Sequence, residues 1–576
     1  MHRALDLTPT GKLVALLICF ASACASPAVD PAGVGPGPIE NDAAADATAE
    51  LGGDAKTSDV GGKQAALSAW IFRHDPTTDG NELEQVSLPP PTVSDGALTG
   101  KFAKVYNCLT EDGGEAYTVG GYAIGTYCIE QQTVLPNAAG SYLDIVPPES
   151  YGDSNDKFSE VDMYYHVNQI HDYYSQNFGL TALDYPMAAT VNYNRSVAEK
   201  YAKNLGVKAG WQGYPNAAFV PAEGFANLGL PQKKQGSLIF GQYQTVDFAY
   251  DASVIYHEYT HAMVGTTRLT GSVEDQFGID HLFGAMNEGF ADYFSCSLRE
   301  NPIIGNYALE LGMGNLKRDL SVKRKCPDDL TTEIHADGKI IGSALWDMRV
   351  ALGRDIADGI ILDALHQFTK TTNINAAGNF IRAEAKKVSL AAGKKVEQIL
   401  NDHGILTCQR TKKWIKFKDL SSPDKMPYRL LGRESLAGAK DMPDGVPGYL
   451  QFSTGVPANT AAIRLSWRSV INWGYAKAES EAALGTAVRR SQPPTLGMNL
   501  NGNGQTVQSD ALITASADPA KKGWQSMVVG GNCVALGTTI YVMFLNDHNA
   551  DVAISEMDIE FLPNALGKVD VGSCQN

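Results

Sequence analysis

Apolar and polar positions follow two periods along the chain, a helical one in the middle and an alternating one towards the ends. Asp251 is a candidate N-cap before the apolar residues 254 and 255, and Gly265 is a natural stop, so a helix is predicted between them. Further helices are predicted from about residue 285 to 298 and from 394 to 405. One more is predicted from apolar residues at helical spacing, which are Ile340, Ile341, Ala344, Leu345 and Met348.

Shorter apolar runs, separated by glycine and proline, predict strands on either side of this helical region. Residues 188–193 and 237–243 are the clearest strands before it, and residues 461–467 and 538–544 are the clearest after it. Strands and helices that are partly segregated along the chain predict an α+β fold.

Residue composition and the pattern of apolar and polar residues change at several points along the chain, and these changes predict five segments. Residues 25–64 consist largely of Ala, Gly, Pro and Asp with almost no large apolar residue, which is typical of a disordered linker. The five predicted segments are a signal peptide at 1–24, the linker at 25–64, a small β-rich module at 65–150, the main domain at 151–412 and a β-sandwich accessory domain at 413–576.

The first 24 residues have the pattern of a targeting segment, with early basic residues, a short apolar run at 13–20 and then small residues. Two interpretations stay open: Cys24 is the lipid-modified cysteine of a bacterial lipoprotein, or residues 21–23 form an ordinary signal-peptidase site. Either way the protein is predicted to be exported, as an outer-membrane or cell-surface lipoprotein or as a secreted protein.

Composition narrows the class of partner. The chain has 576 residues, of which 44% are hydrophobic, so it can bury several cores. Its formal net charge of −17 argues against nucleic acid, because a polyanion requires a basic face. The sequence holds no window apolar enough for a membrane span, so membrane contact is expected only through a lipid on Cys24.

Export permits disulfide bonds. Cys108 and Cys128 bracket a glycine-rich, hairpin-like stretch and are predicted to pair. Cys533 and Cys574 are the cysteines of the last segment and are also predicted to pair. The remaining set of Cys296, Cys326 and Cys408 is odd, and spacing leaves its pairing open.

The strongest chemical signal lies on the predicted helix that follows Asp251, in the string His257-Glu258-Tyr259-Thr260-His261. Positions i and i+4 differ by only about 40° around a helix, so both imidazoles can reach one metal ion. Glu258 lies beside the first histidine and can face a water bound to that metal. The spacing therefore predicts a catalytic zinc site.

Downstream residues can complete this site. Zinc hydrolases use three protein ligands and keep one position for water, and Glu288 can supply the third ligand. Asp292 lies one turn further along the same predicted helix, where it can accept a hydrogen bond from a ligand histidine. His335 precedes an apolar helix and can donate to the oxyanion that forms when water attacks a carbonyl.

In these motifs the chain resembles the gluzincin metallopeptidases, and fungalysin more than thermolysin. The resemblance covers roughly residues 155–406 and implies a two-lobed, thermolysin- or fungalysin-like zincin catalytic domain at 151–412 with one zinc ion. Besides residues 257–261, it rests on His171-Asp172-Tyr173-Tyr174, Asn216-Ala217-Ala218-Phe219, Arg268-Leu269-Thr270-Gly271 and Asn287-Glu288-Gly289.

The resemblance implies roles for the central residues. His257, His261 and Glu288 would bind zinc. Glu258 would be the general base and then the general acid, and His335 would stabilise the transition state.

It also implies roles for residues around them. Asp292 would orient His257, and Asn287 would lie directly behind the ligands. Asn216 and Ala217 would belong to an edge strand that pairs with the substrate backbone, and Arg318 would hold a substrate carbonyl.

The chain departs from the thermolysin pattern in places. The interval from His261 to Glu288 is longer and contains no tyrosine for a second oxyanion donor, which makes His281 a candidate for that role. Ser253 stands where thermolysin has a calcium-binding aspartate, so no motif supports a calcium ion. The partner of His335 stays open among Asp328, Asp329 and Glu333.

The resemblance, together with the targeting segment, thus implies an exported zinc endopeptidase that hydrolyses peptide bonds in proteins. Two alternatives stay open. One is a zinc aminopeptidase, and the other is an inactive protein of protease fold that binds a surface or a glycan. The C-terminal segment could bind such a ligand in either case, and protein or peptide substrates are the expected partners of the enzyme.

Overall fold

The computed structural model describes residues 67–563 and 572–573. Within that span it leaves out residues 111–113, 115, 120–121, 154, 206–207, 223, 225–232, 234, 270–272, 315, 417–427, 434–441, 443, 472–482, 498–505 and 536. The predicted signal peptide, with Cys24, and the predicted linker at 25–64 lie outside the described residues. Export and lipid attachment therefore stay predictions.

The helices lie mostly between residues 250 and 405. They are α1 (Phe158–Phe178), α2 (Glu199–Leu205), α3 (Ala252–Gly265), α4 (Leu282–Arg299), α5 (Ile334–Leu352), α6 (Arg354–His366), α7 (Ile374–Val388) and α8 (Leu390–Asp402). The helix predicted at 394–405 begins earlier, as α8, because Ser389 caps it by accepting a hydrogen bond of 3.0 Å from the amide of Ala392. None of the described helices combines the length and apolarity that crossing a membrane requires.

A nine-stranded sheet spans the first half of the described chain. Its strands are β3 (Ala103–Leu109), β4 (Ala116–Val119), β5 (Tyr122–Tyr127), β6 (Ile129–Gln131), β7 (Met187–Val197), β8 (Gly210–Gly213), β9 (Ala217–Val220), β10 (Ser237–Tyr243) and β11 (Val246–Asp247), preceded by the separate hairpin of β1 (Ser68–Ile71) and β2 (Glu84–Ser87). Along its main path the order is β11-β10-β7-β3-β6, and β7 is parallel to both of its neighbours.

This sheet contains strands from two segments, 65–150 and 151–412, that the sequence analysis predicted as separate units. Strands β3 to β6 fall in the predicted module at 65–150, whereas β7 to β11 fall in the predicted main domain. Pairing between β3 and β7 is long-range, so a local sequence pattern could not reveal it. Together with the helices, the sheet makes the fold α+β, as predicted; the domain boundaries themselves stay predictions.

Helix α4 packs against both α3 and α5, and glycines let α4 and α5 approach closely. A Cβ atom on Gly289 would lie 2.3 Å from Cγ2 of Ile341 and 2.6 Å from the carbonyl oxygen of Gly338. A Cβ atom on Gly338 would in turn lie 3.0 Å from Cβ of Glu288. The glycine after Glu288 therefore sets how near this carboxylate comes to α5.

The chain after residue 410 forms two larger sheets. The strand order of the first is β16 (Thr411–Lys413), β18 (Val446–Gly455), β26 (Thr539–Asn546), β20 (Gly485–Arg490) and β23 (Ala511–Thr514). Along the main path of the second the order is β17 (Tyr428–Leu430), β27 (Val552–Leu562), β19 (Ala462–Ile471), β25 (Gln525–Gly530) and β24 (Ser516–Ala517). Trp467 and Phe544 belong to different sheets, and their ring centroids lie 5.0 Å apart, so buried aromatic side chains of the two sheets contact each other. Both sheets fall within the predicted β-sandwich at 413–576, except that β16 begins slightly earlier. Its standing as a separate accessory domain stays a prediction.

The strands of the second half, including the short hairpins, are β12 (Val273–Asp275), β13 (Gly278–Asp280), β14 (Ile303–Ile304), β15 (Arg318–Asp319), β16 (Thr411–Lys413), β17 (Tyr428–Leu430), β18 (Val446–Gly455), β19 (Ala462–Ile471), β20 (Gly485–Arg490), β21 (Thr495–Leu496), β22 (Val507–Gln508), β23 (Ala511–Thr514), β24 (Ser516–Ala517), β25 (Gln525–Gly530), β26 (Thr539–Asn546), β27 (Val552–Leu562) and β28 (Gly572–Ser573).

Among the described residues, the cysteines form disulfide bridges apart from one free thiol. The predicted bridge Cys108–Cys128 is confirmed, with a Cα–Cα distance of 5.3 Å. Cys326 and Cys408 also pair, across 82 residues, and Cys296 is a buried free thiol on α4. This resolves the odd set that spacing left open. The predicted partner of Cys533, Cys574, lies outside the described residues.

Replacing Gly289 by alanine should destabilise the protein by about 1–3 kcal/mol, because the added Cβ must push α5 away from α4. Gly359 of α6 provides a matched control, since no atom lies within 4 Å of its Cβ position. Alanine there should be neutral or stabilising by about 0.5–1 kcal/mol. Urea unfolding midpoints measure both variants. A Gly289→Ala protein as stable as Gly359→Ala would contradict the close packing described here.

Candidate metal centre

Helix α3 begins where Asp251 caps it. The Asp251 carboxylate accepts a hydrogen bond of 3.0 Å from the amide of Ser253, as expected for an N-cap. Six and ten residues after the cap, His257 and His261 lie one turn apart on the same face, and their Nε2 atoms are 3.0 Å apart. Both imidazoles are buried, so the helix presents two converging ring nitrogens inside the protein.

Helix α4 brings a carboxylate to the same point. Glu288 Oε2 lies 3.2 Å from Nε2 of His257, and Oε1 lies 3.8 Å from Nε2 of His261. The ligand atoms of these three side chains all lie within 4.8 Å of one another, and within the described ranges they form the group that could hold a metal ion. The structure therefore brings together the three residues that the sequence predicted as ligands.

The outer nitrogens of both rings face acceptors. Nδ1 of His257 lies 2.8 Å from Oδ1 of Asp292, and Nδ1 of His261 lies 3.0 Å from Oδ1 of Asn287. Each ring can therefore donate its Nδ1 hydrogen outwards and turn the lone pair of Nε2 inwards. Without a cation, two lone pairs and a carboxylate at this separation would repel one another.

Arg318 supports this arrangement from behind. Its Nε and Nη2 atoms donate to the two oxygens of Asp292, each at 2.7 Å. The arginine is largely buried and Asp292 is fully buried, so the pair is a charge-assisted, bidentate contact in the protein interior. The structure thus places Arg318 against Asp292, and its predicted contact with a substrate carbonyl stays a prediction.

The charges around the three ligands favour a cation. Burial opposes a charge on His257, yet the carboxylates of Asp292 and Glu288 raise its pKa to about 10. Burial alone would raise the pKa of Glu288, but His335, His261 and His257 hold it well below its ordinary value. Oε2 of Glu288 is buried without a partner in hydrogen-bond geometry. Two imidazoles and one carboxylate with such an orphaned oxygen fit a zinc ion.

Glu258 lies beside the ligands and is held by an edge strand. The backbone amide of Phe219 in β9 donates to its Oε2 atom at 2.8 Å. Strand β9 pairs with β10, in register Ala217 with Phe240, and no second neighbour is described for it. Asn216 precedes this strand and its Nδ2 atom lies 3.2 Å from the hydroxyl of Tyr214. The predicted base and the predicted substrate strand are thus in direct contact.

His335 reaches the same centre from the first turn of α5. Its Nε2 atom lies 3.4 Å from Oε2 of Glu288, and the side chain is about one-third exposed (35%). Its Nδ1 atom lies 2.7 Å from Oε1 of Glu333. Burial opposes a charge on this ring, but the charges of Glu288 and Glu333 raise its pKa to about 9. The partner that spacing left open is therefore Glu333, rather than Asp328 or Asp329.

Some contacts could be expected from the sequence and others could not. Glu333 is the N-cap of α5 and accepts from the amides of His335 and Ala336. Its position directly before this helix is the local signal that could have distinguished it from Asp328 and Asp329. The amide of Phe219 carries no sequence signal, because a backbone donor exists at almost every residue.

His281, the candidate for a second oxyanion donor, lies against Tyr449, with ring centroids 5.4 Å apart. Its role as a donor stays a prediction.

Ser253, at the position expected for a calcium ligand, makes internal contacts instead. Its hydroxyl donates to the cap residue Asp251 and accepts a hydrogen bond of 2.8 Å from the amide of Gly305. These contacts tie the start of α3 to a neighbouring loop.

Comparisons with known proteins agree with the resemblance stated from the motifs. Residues 135–383 match the family described as fungalysin metallopeptidase (M36). Over 242 residues the chain is 26% identical to an extracellular metalloproteinase of Pyrenophora tritici-repentis (strain Pt-1C-BFP). That match covers 37% of this chain and 36% of the relative, so it spans about a third of the relative's length. The predicted resemblance to fungalysin-like zinc metallopeptidases is confirmed.

A comparison of solved structures is less informative. A family GH115 4-O-methyl-α-glucuronidase with specificity for decorated arabinogalactans aligns with 54% of this chain and 38% of its own, at 11% identity and a TM-score of 0.12. A likeness this low carries no argument about fold or function.

Replacing Asp292 by asparagine should weaken zinc binding about 10- to 100-fold, because His257 loses its charged acceptor and Arg318 keeps an unbalanced charge near the ion. Competition with a chromophoric chelator measures the affinity. Asp347→Asn is the matched control, since Asp347 also bonds a histidine, with Oδ2 2.9 Å from Nε2 of His403, outside the centre. Equal zinc affinity in the two variants would count against the assigned geometry.

Proposed function

Residues 135–383 are fungalysin-like, and on that basis we propose that the protein is an exported zinc endopeptidase that hydrolyses peptide bonds within proteins. The observation that carries this proposal is the convergence of His257, His261 and Glu288 beside Glu258. A buried carboxylate next to a three-ligand metal site is the arrangement that metal-assisted hydrolysis requires.

Glu258 is the proposed general base. Zinc held by His257, His261 and Glu288 would lower the pKa of a water molecule from about 15.7 towards 7 and would polarise a carbonyl oxygen. Glu258 accepts the proton of the attacking water and passes it to the leaving amine. The amide of Phe219 fixes one carboxylate oxygen, so the base keeps its orientation while the proton moves.

His335 is the proposed donor to the oxyanion. Glu333 accepts a hydrogen bond from Nδ1 of His335, and its negative charge favours the protonated ring, in which Nε2 also carries a hydrogen. That hydrogen can be donated to the carbonyl oxygen as negative charge develops on it. The proposed catalytic pair is therefore Glu258 for proton transfer and His335 for charge stabilisation.

Strand β9 is the proposed substrate strand. An extended peptide can add through backbone hydrogen bonds to the edge of β9 that has no neighbour among the described residues. Asn216 and Ala217 would lie at the start of this substrate strand, and Arg318 would lie close to the metal ligands. Such binding accepts a peptide in mid-chain, which favours an endopeptidase. An aminopeptidase would require a group that captures a free substrate amine, and it is the runner-up activity.

The remaining parts of the proposal concern location and the outer segments. We propose export as a lipoprotein attached through Cys24 or as a secreted protein, a catalytic domain at 151–412 and an accessory β-sandwich at 413–576. A surface or glycan ligand for the accessory domain is proposed for the active enzyme as well as for the alternative of an inactive protein. The intact ligand set and Glu258 both argue against the inactive alternative.

Replacing Glu258 by glutamine should lower kcat by roughly 10²–10⁴-fold and leave the zinc content unchanged, because only proton transfer is removed. Glu384→Gln is the matched control, since Glu384 is also buried but pairs with Lys387 on α7. Cleavage of casein and metal analysis measure the two effects. A Glu258→Gln protein that cleaves casein at the wild-type rate would refute the assignment.

Wild-type protein should also cut a peptide that is blocked at its amino end, at an internal bond identified by mass spectrometry, and a zinc chelator should abolish this cleavage. An untouched blocked peptide together with trimming of the unblocked one would indicate the aminopeptidase. No cleavage of either peptide by zinc-loaded protein would indicate the inactive alternative.

A further inference from the structure

We propose that Thr332 is a positioning residue through which strand β17 of the C-terminal sheets holds His335 in place. The inference rests on the proposed function and adds a role for the C-terminal part of the chain in catalysis. It starts from three observations on the segment that leads into α5: an unfavourable backbone conformation, a reciprocal contact with β17, and a short path to the catalytic ring.

Thr332 adopts a backbone conformation that its side chain disfavours. Its φ angle is +78°, in the left-handed region, where a β-branched residue is a clear outlier. Such a conformation persists only when surrounding contacts impose it, and outliers of this kind cluster at functional sites. The contacts that impose it here should therefore be identifiable.

Two of these contacts come from the C-terminal sheets. The hydroxyl of Thr332 donates to the carbonyl oxygen of Arg429 at 2.8 Å and accepts from the amide of Arg429 at 2.5 Å. Strand β17 is the terminal strand of its sheet, with β27 on its other side. One threonine hydroxyl thus satisfies both outward-facing backbone groups at the centre of an edge strand.

Strand β17 is itself firmly held. Arg429 pairs with Ala553 in the register with β27, and its Nε atom donates to Oδ2 of Asp551 at 2.8 Å. The other oxygen of Asp551 accepts from the amide of Gly432 at 2.8 Å. The segment that leads into α5 has a second contact with the C-terminal sheets, because Nζ of Lys412 in β16 donates to the carbonyl oxygen of Leu330 at 2.8 Å.

Glu333 alone links Thr332 to the imidazole ring of His335. The amide of Thr332 donates to Oδ2 of Asp337 at 3.0 Å, which ties the segment to the first turn of α5. The next residue, Glu333, caps that helix and accepts from Nδ1 of His335. A rotation at Thr332 would therefore displace the carboxylate that orients His335, although it would leave the metal ligands on α3 and α4 untouched.

Three substitutions at Thr332 separate these effects. Thr332→Val keeps the shape but loses both hydrogen bonds to β17, and Thr332→Gly loses them while favouring the left-handed conformation. Both variants should lower kcat about 10- to 100-fold with KM and zinc content unchanged, because a misplaced donor weakens transition-state binding alone. Thr332→Ser keeps the hydroxyl and should retain kcat within about twofold of wild type.

Thr486→Val is the matched control. Thr486 lies in β20 and its buried hydroxyl donates to the carbonyl oxygen of Ile513 at 2.7 Å, so the same substitution removes a buried hydrogen bond within the C-terminal sheets only. It should leave kcat unchanged. Hydrogen–deuterium exchange of the segment 330–336 gives a readout that needs no activity: exchange should rise in the valine and glycine variants and stay at the wild-type level in the serine variant.

The outcomes separate the two proposals. Unchanged kcat and unchanged exchange in Thr332→Gly would overturn the positioning role, as would a serine variant that behaves like valine, or a loss of kcat that merely follows lost zinc. If wild-type protein cleaves no peptide, the proposed function fails, and the exchange of residues 330–336 then decides alone whether Thr332 holds the segment.

Discussion

The structure depends on the close approach of α4 to α3 and α5 at a single carboxylate. Glu288 must lie near both ligand histidines on one side and His335 on the other, and the three ligand side chains are almost entirely removed from water. Gly289 and Gly338 make the approach possible because neither places a Cβ atom between the helices. A carboxylate so deeply buried is tolerated only among positive charges, and a divalent cation supplies the largest one.

A layer of hydrogen bonds converts that packing into a defined site. Asp292 and Asn287 turn the ligand rings inwards, Glu333 orients His335, and the amide of Phe219 fixes Glu258. The pair of Asp292 and Arg318 shows the energetic balance involved: burying both charges is costly, and the bidentate contact offsets that cost. In return, the buried pair fixes the orientation of the His257 imidazole, and metal-assisted hydrolysis requires ligands held in a precise orientation.

The sequence predicted those features that depend on local spacing. Helix α3 with its Asp251 cap, helix α4, the pair of His257 and His261 and the bridge Cys108–Cys128 follow from spacing or local chemistry. The approach of Glu288 to the two histidines was expected from the order of the motifs and the resemblance. Long-range pairings were not accessible in this way. The sheet shared by β3 and β7, the bridge Cys326–Cys408, and the contact of Thr332 with Arg429 join residues 80 or more positions apart, and no local period encodes such a partner.

The central claim is that two imidazoles and one carboxylate bind a single zinc ion. Zinc K-edge X-ray absorption of the purified protein tests it most directly, because the spectrum reports the atoms bound to the metal. The account predicts nitrogen and oxygen neighbours at about 2.0–2.2 Å, an outer-shell signal from two histidines, and no sulfur. A sulfur neighbour at about 2.3 Å, or a spectrum without imidazole scattering, would contradict it.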